Sequence, residues 1–187
     1  MLGGSTPAVA STSSQVTVDM VAEYFIPSGV SVARGGTVTW DTAHADATHT
    51  VTDDTGMALF DSGLIHPGDP DFSYTYIVAG SYPYVCVLHA SMIGTVGVPV
   101  RAAPSSGRIG RTFTVTWASG AVPDGSVSDV QMKRRGHPWS TWQDGVTAAS
   151  GSFTPTRDGV ELFRARLRRL DDATTSGWSA AVKIVVG

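Results

Sequence analysis

The sequence predicts an all-β protein of two tandem β-sandwiches. Short runs alternate apolar and polar residues through both halves of the chain. Turn residues punctuate those runs, with 21 glycines and 10 prolines among 187 residues. No stretch keeps the apolar period of a helix. Val16, Val18 and Met20 open the first half, followed by Val30-Ser31-Val32, Val38-Thr39-Trp40, the run 72–76 and Val96-Gly97-Val98. Pro27-Ser28-Gly29, Gly35-Gly36, Pro67-Gly68-Asp69-Pro70 and Ala79-Gly80 separate them as turns. The second half repeats the pattern over 113–117, 130–135, 162–167 and 182–186. Several short strands at roughly even spacing suit an antiparallel sandwich in each half.

Charge divides the chain at the same place. Residues 1–103 carry nine acidic side chains against Arg34 and Arg101, a net of −7, whereas residues 104–187 carry eleven basic and seven acidic ones, a net of +4. The break falls at RAAPSSGRIG, a stretch of linker composition. The expected organisation is a disordered leader over 1–14, a first domain over 15–101, a linker over 102–108 and a second domain over 109–187. With 42% apolar and 16% charged residues, most of the chain is too apolar for disorder. The modest basic excess, confined to one half, argues against a nucleic-acid binder. No apolar run approaches the ~18 residues of a membrane span. The first fourteen residues lack the basic and apolar regions of a signal peptide. A single cysteine, Cys86, excludes an internal disulfide and leaves an inert thiol, a nucleophile or a metal ligand.

Cys86, His89 and Met92 recur at a spacing of three, and His49 lies well upstream. Taken singly, each has a plain reading: a buried small hydrophobe, hydrogen-bonded histidines and a core methionine. Together they form a soft-to-borderline donor set that suits copper in both oxidation states. Calcium and magnesium take oxygen ligands, and structural zinc sites usually lack methionine. His44 and His66 read as solvated loop histidines, and His137 as a loop residue beside Pro138.

Over about 15–100 the sequence resembles the cupredoxins, the plastocyanin- and amicyanin-like blue copper proteins. The likeness rests on Phe25-Ile26-Pro27, Gly36-Thr37-Val38-Thr39-Trp40, His49-Thr50-Val51, Phe60-Asp61-Ser62-Gly63, Pro67-Gly68, Tyr74-Thr75-Tyr76 and the run 80–86 leading into Cys86. The short loop with two residues between Cys86 and His89, and two more before Met92, is most similar to amicyanin. The resemblance implies a Greek-key sandwich with a type 1 copper site, His49, Cys86 and His89 in the trigonal plane and Met92 as the weak axial ligand. It also implies a Cu(II)/Cu(I) couple used for electron transport, a redox partner protein, and a secreted, periplasmic or cell-surface location. Electrons would pass through the ring edge of His89, framed by Leu88, Ala90 and Ile93.

Two positions depart from the pattern. Many relatives have an asparagine after the Val-x-Trp strand that ties the ligand loops, where this chain has Asp41, which lacks the amide donor. Leu88 stands where relatives often have proline, and its retained N–H is expected to donate to the Cys86 sulfur and raise the potential.

Four protein ligands leave no open position for a substrate, so the expectation is an electron carrier and not an enzyme. The alternatives are copper capture or delivery without redox turnover, and a structural or adhesive module.

The second half resembles a fibronectin type III domain over about 104–187. The residues carrying the likeness are Thr114-Val115-Thr116-Trp117, Asp129-Val130-Gln131, Trp139-Ser140-Thr141-Trp142, Gly159, the run 163–166 and Ser176-Gly177-Trp178-Ser179. Glu161 replaces the tyrosine often found at the start of the F strand. Arg164, Arg166 and Arg168 are expected on one strand face, with Lys133 and Arg135 outward on the next. The plain reading is a solvated face whose arginines stack on Trp178 or Trp142. The sharper one is a docking face for an anionic glycan, a cell wall or a redox partner.

Overall fold

The structure, a computed structural model, describes residues 13–187. Nearly all of the expected leader therefore lies outside the described residues. All the regular elements among those described are strands. The first half runs β1 (Gln15–Val21), β2 (Tyr24–Ile26), β3 (Gly29–Ser31), β4 (Gly36–Asp41), β5 (Thr52–Asp53), β6 (Phe72–Tyr76), β7 (Gly80–Val85) and β8 (Ile93–Val98). They form two four-stranded sheets, in the orders β2-β1-β4-β6 and β3-β8-β7-β5. The pairs β1 with β4 and β3 with β8 are parallel, and the others in these sheets are antiparallel.

Alternation in sequence becomes burial between these sheets. Val38 and Trp40 of β4, Tyr82 and Tyr84 of β7, and Val96 and Val98 of β8 all point into the core. Trp40 meets Tyr84 edge-on, with ring centroids 5.1 Å apart. Gly94 is required beneath that tyrosine, because a Cβ there would lie 2.2 Å from Tyr84 Cζ.

The second half continues with β9 (Arg101–Ala103), β10 (Ser106–Gly107), β11 (Phe113–Thr116), β12 (Ser126–Arg134), β13 (Ser140–Val146), β14 (Ser150–Phe153), β15 (Gly159–Arg169) and β16 (Val182–Val186). Its sheets run β14-β11-β9 and β10-β16-β15-β12-β13. The stretch 102–108, expected as a linker, is tied into both of them. β9 pairs antiparallel with β11, and β10 pairs parallel with β16. Both strands lie at sheet edges, and Pro104 falls in the bend between them, where its missing N–H breaks no ladder.

The two halves meet at the start of β7. Ser81 and Gly177 exchange two backbone hydrogen bonds of 2.9 and 2.8 Å, Ala79 N–H donates to Trp117 O, and Ser119 N–H donates to Ile77 O. Arg169 reaches across to the carbonyl oxygens of Met57 and Gly56. Cys86 follows the opposite end of β7. It lies five positions after Ser81, roughly 17 Å along an extended strand. The second half therefore packs at the end of this strand remote from Cys86.

Candidate metal centre

The loop 86–92 connects β7 to β8 as the turn of a hairpin. Val85 pairs with Ile93 at the last rung, and Cys86 N–H donates to Met92 O at 2.9 Å. Inside the turn, His89 N–H donates to Cys86 O and Met92 N–H to His89 O. These bonds close a compact turn, with Cys86 and Met92 buried and His89 half-buried.

His49 arrives from the segment between β4 and β5. Its backbone exchanges two hydrogen bonds of 2.9 Å with Ile65, so its position is fixed from both sides. The imidazole is wholly buried, and neither Nδ1 nor Nε2 has a hydrogen-bond partner. Burial holds this ring below its ordinary pKa of 6.5; His89 lowers it further and Asp46 works the other way. His49 is thus neutral at physiological pH, as a metal ligand must be.

One ligand atom from each of His49, Cys86 and His89 lies within 4.8 Å of the other two. Cys86 Sγ is 3.5 Å from His89 Nδ1, and the two imidazole centroids are 5.0 Å apart. Unpaired buried imidazole nitrogens cost about 1–3 kcal/mol each, and a metal ion is a partner that His49 could share with Cys86 and His89. A thiolate with two imidazoles can hold copper. Met92 is fully buried in the same loop and brings a thioether to that end of the sandwich. Among the described residues no other group of three candidate ligands comes together. His66 instead pairs with Asp69, Nδ1 to Oδ2 at 3.1 Å.

The sulfur's hydrogen-bond donor differs from expectation. Thr50 N–H, and not Leu88 N–H, donates to Cys86 Sγ, at 3.3 Å. The hairpin turn explains the change: it carries Leu88 outward to 49% exposure, whereas Thr50 follows His49 directly and is held against β7. The loop tie also moves. Asp41 closes a local turn by accepting Ala43 N–H, while Thr50 Oγ1 accepts Val87 N–H at 2.9 Å and so joins the two ligand segments. Adjacency to His49 was the available signal for Thr50.

In the second half, Arg164 lies over the rings of both Trp139 and Trp178, with Arg166 over Trp178 and Lys133 over Trp139. Trp142, expected as a stacking partner, turns inward and packs edge-on against Trp117 and Phe163. The pairing explains this: Thr141 stands opposite Gln131, which binds Arg164 on the outer face, so the next residue, Trp142, turns to the inner face.

No family model matches the chain, and neither does any curated protein. Among solved structures it is similar to a purple cupredoxin from Nitrosopumilus maritimus, at 24% identity over 44% of this chain and 98% of that one, with a TM-score of 0.40. It is also similar to a Cu(I) form of an amicyanin variant, at 29% identity over 48% of this chain and 85% of that one (TM-score 0.40). An oxidized amicyanin variant matches at 25% identity over 48% and 86% of the two chains, with a TM-score of 0.41. Scores this low leave the copper assignment resting on the donor atoms of His49, Cys86 and His89.

Proposed function

We propose that this protein is an extracytoplasmic one-electron carrier, with copper held by His49, Cys86 and His89 and Met92 as the weak axial ligand. The observation that carries the reading is the convergence of these three ligand atoms within 4.8 Å around a buried histidine whose ring nitrogens have no partner. Bound there, copper supplies a Cu(II)/Cu(I) couple, and four protein ligands leave no ready open position for a substrate. The cupredoxin and amicyanin likenesses agree with that choice of metal but do not carry it.

The chain's own groups suit the task. Thr50 N–H stabilises negative charge on the Cys86 sulfur, and the bridge to Ile65 holds His49. His89 is the ligand nearest solvent, in a loop where Leu88 is 49% and Ile93 60% exposed. That apolar surround suits close approach of a redox partner protein, and the acidic first half favours a basic one. The type III-like half, packed at the far end of β7, serves as a spacer or docking module. Its arginine face reads best as internal support, because Arg166 and Arg168 pair with Asp129 and Arg164 with Gln131.

Adding Cu(II) to the metal-free protein tests the reading. One equivalent should produce intense visible absorption from thiolate-to-copper charge transfer, and Cys86→Ser should abolish it. Voltammetry should then give a reversible couple. A slow, irreversible couple would favour copper capture or delivery, and failure to bind copper stoichiometrically would leave a structural or adhesive module.

A further inference from the structure

Most cations on the outer face of β12 and β15 are engaged by the tryptophans, Asp129 or Gln131, but Arg157, at one end of the same sandwich, is not. There the turn after β12 and the segment after β14 enclose an open cavity of about 430 Å³, within the range of about 300–1,000 Å³ usual for small-molecule sites. Met132, Phe153 and Pro155 supply apolar wall, and Lys133, Arg134, His137 and Arg157 supply the basic part of the lining.

Glu161 also lines this cavity. It lies on the inward face of β15, in line with Phe163 and Ala165, and is only 7% exposed. Arg134 stands directly opposite it in the register, yet donates to the Asp158 carbonyl oxygen instead. The Glu161 carboxylate takes part in no hydrogen bond or ion pair among the described residues, and Arg157 likewise has no partner among them. The side chain is packed inward but its carboxylate opens onto the cavity, so its hydrogen-bond donors must come from there. At a cavity wall its donors can come from a ligand.

The charge balance selects the ligand. Arg134, Arg157, Lys133 and the His137 imidazole against one carboxylate favour an anion, and they disfavour bringing a further ammonium group to Glu161. Neutral hydroxyls can satisfy the carboxylate without adding positive charge. We propose that this cavity binds a uronic-acid saccharide, whose hydroxyls donate to Glu161 while Arg157 receives its carboxylate. Apolar sugar faces then lie along the wall formed by Met132, Phe153 and Pro155.

Titration of the isotope-labelled full chain with tetragalacturonate, followed by amide NMR, tests this site. Shifts should concentrate in 132–137 and 154–157, and neutral maltotetraose should leave them in place. Glu161→Gln separates recognition from simple charge attraction, because the two predict opposite signs. A hydroxyl-binding carboxylate predicts affinity weakened about tenfold, the effect of losing one charged hydrogen bond, whereas bulk attraction of an anion predicts tighter binding once a negative charge is removed. Arg157→Gln should also weaken binding, with the melting temperature of each variant confirming that it is folded. Binding that maps to Trp139 and Trp178, tighter binding by Glu161→Gln, equal binding of the neutral sugar, or no binding at all would each overturn the proposal.

Discussion

Thr50→Val isolates the hydroxyl that joins the two ligand segments. Valine keeps the shape and the backbone N–H, so the bond from residue 50 to Cys86 Sγ survives. What disappears is the acceptor for Val87 N–H at 2.9 Å. Thr52 Oγ1 also loses a partner at 3.1 Å, but it can turn to Asp61 Oδ1, 3.3 Å away. The net loss is therefore one orphaned N–H. Val87 is 62% exposed, so water can partly replace the missing acceptor. The expected cost sits near the low end of the range, about 1 kcal/mol. For a chain of this size that corresponds to about 2–4 °C in melting temperature. Thermal melts of the metal-free protein followed by circular dichroism read the change directly, and Thr50→Ser, which retains the oxygen, should recover most of it. A Thr50→Val variant as stable as the parent, or a serine variant no better than valine, would refute the assignment of this hydroxyl as the loop tie.

Leu88→Pro should leave the midpoint potential of the copper-loaded protein unchanged in voltammetry, because the sulfur's donor is Thr50 N–H; a shift would return that role to residue 88. His49 is held neutral by burial, so its contribution to stability is present above the ordinary imidazole pKa of 6.5 and is lost as pH falls. Denaturant titrations of the metal-free protein should accordingly find falling stability below about pH 6.5, and His49→Phe should reduce that slope. Burial tends to raise the Asp129 pKa, but Arg168, Gly145 N–H and Arg166 together hold it below 3.8. Asp129→Asn should cost about 1–3 kcal/mol in denaturation, because it removes the charge that two guanidiniums share, leaving Arg168 only its pair with Asp144.

Residue types and spacing made the candidate donors legible. Cys86, His89 and Met92 lie within seven residues, and a hairpin turn brings such neighbours together whatever the details of the frame. His49 was readable because its strand context matched a known pattern. Features set by three-dimensional closure were harder to read. The tie between ligand segments passes through Thr50 because the bridge of His49 with Ile65 fixes where residue 50 points, a pairing across sixteen positions that no local pattern announces. Alternation puts Trp139 and Trp142 on opposite faces, but only the register, with Thr141 opposite Gln131, reveals which indole faces the arginines. The segment 102–108 has linker composition, yet edge strands accept the same residues, so composition alone did not separate the two.

The geometry around Cys86 bears on how little such a centre can move. An electron carrier works fastest when gaining or losing an electron displaces its ligands least, and displacement is limited by whatever else the ligand segments hold. Here the constraints are backbone bonds on both sides of the donors. His49 is clamped to Ile65, Thr50 binds both Cys86 and Val87, and Cys86 closes the hairpin through Met92. Moving the His49 segment against the Cys86 loop requires stretching the Thr50 bonds, and opening the loop requires breaking the closure between Cys86 and Met92. Tyr84, two residues before the cysteine, is wedged between Trp40 and Phe25 above Gly94, so the strand leading into the loop is fixed as well. The same restraint explains why the second half can attach to this sandwich without disturbing the donors. Its contacts enter at Ala79 and Ser81, and a packed β7 separates them from Cys86.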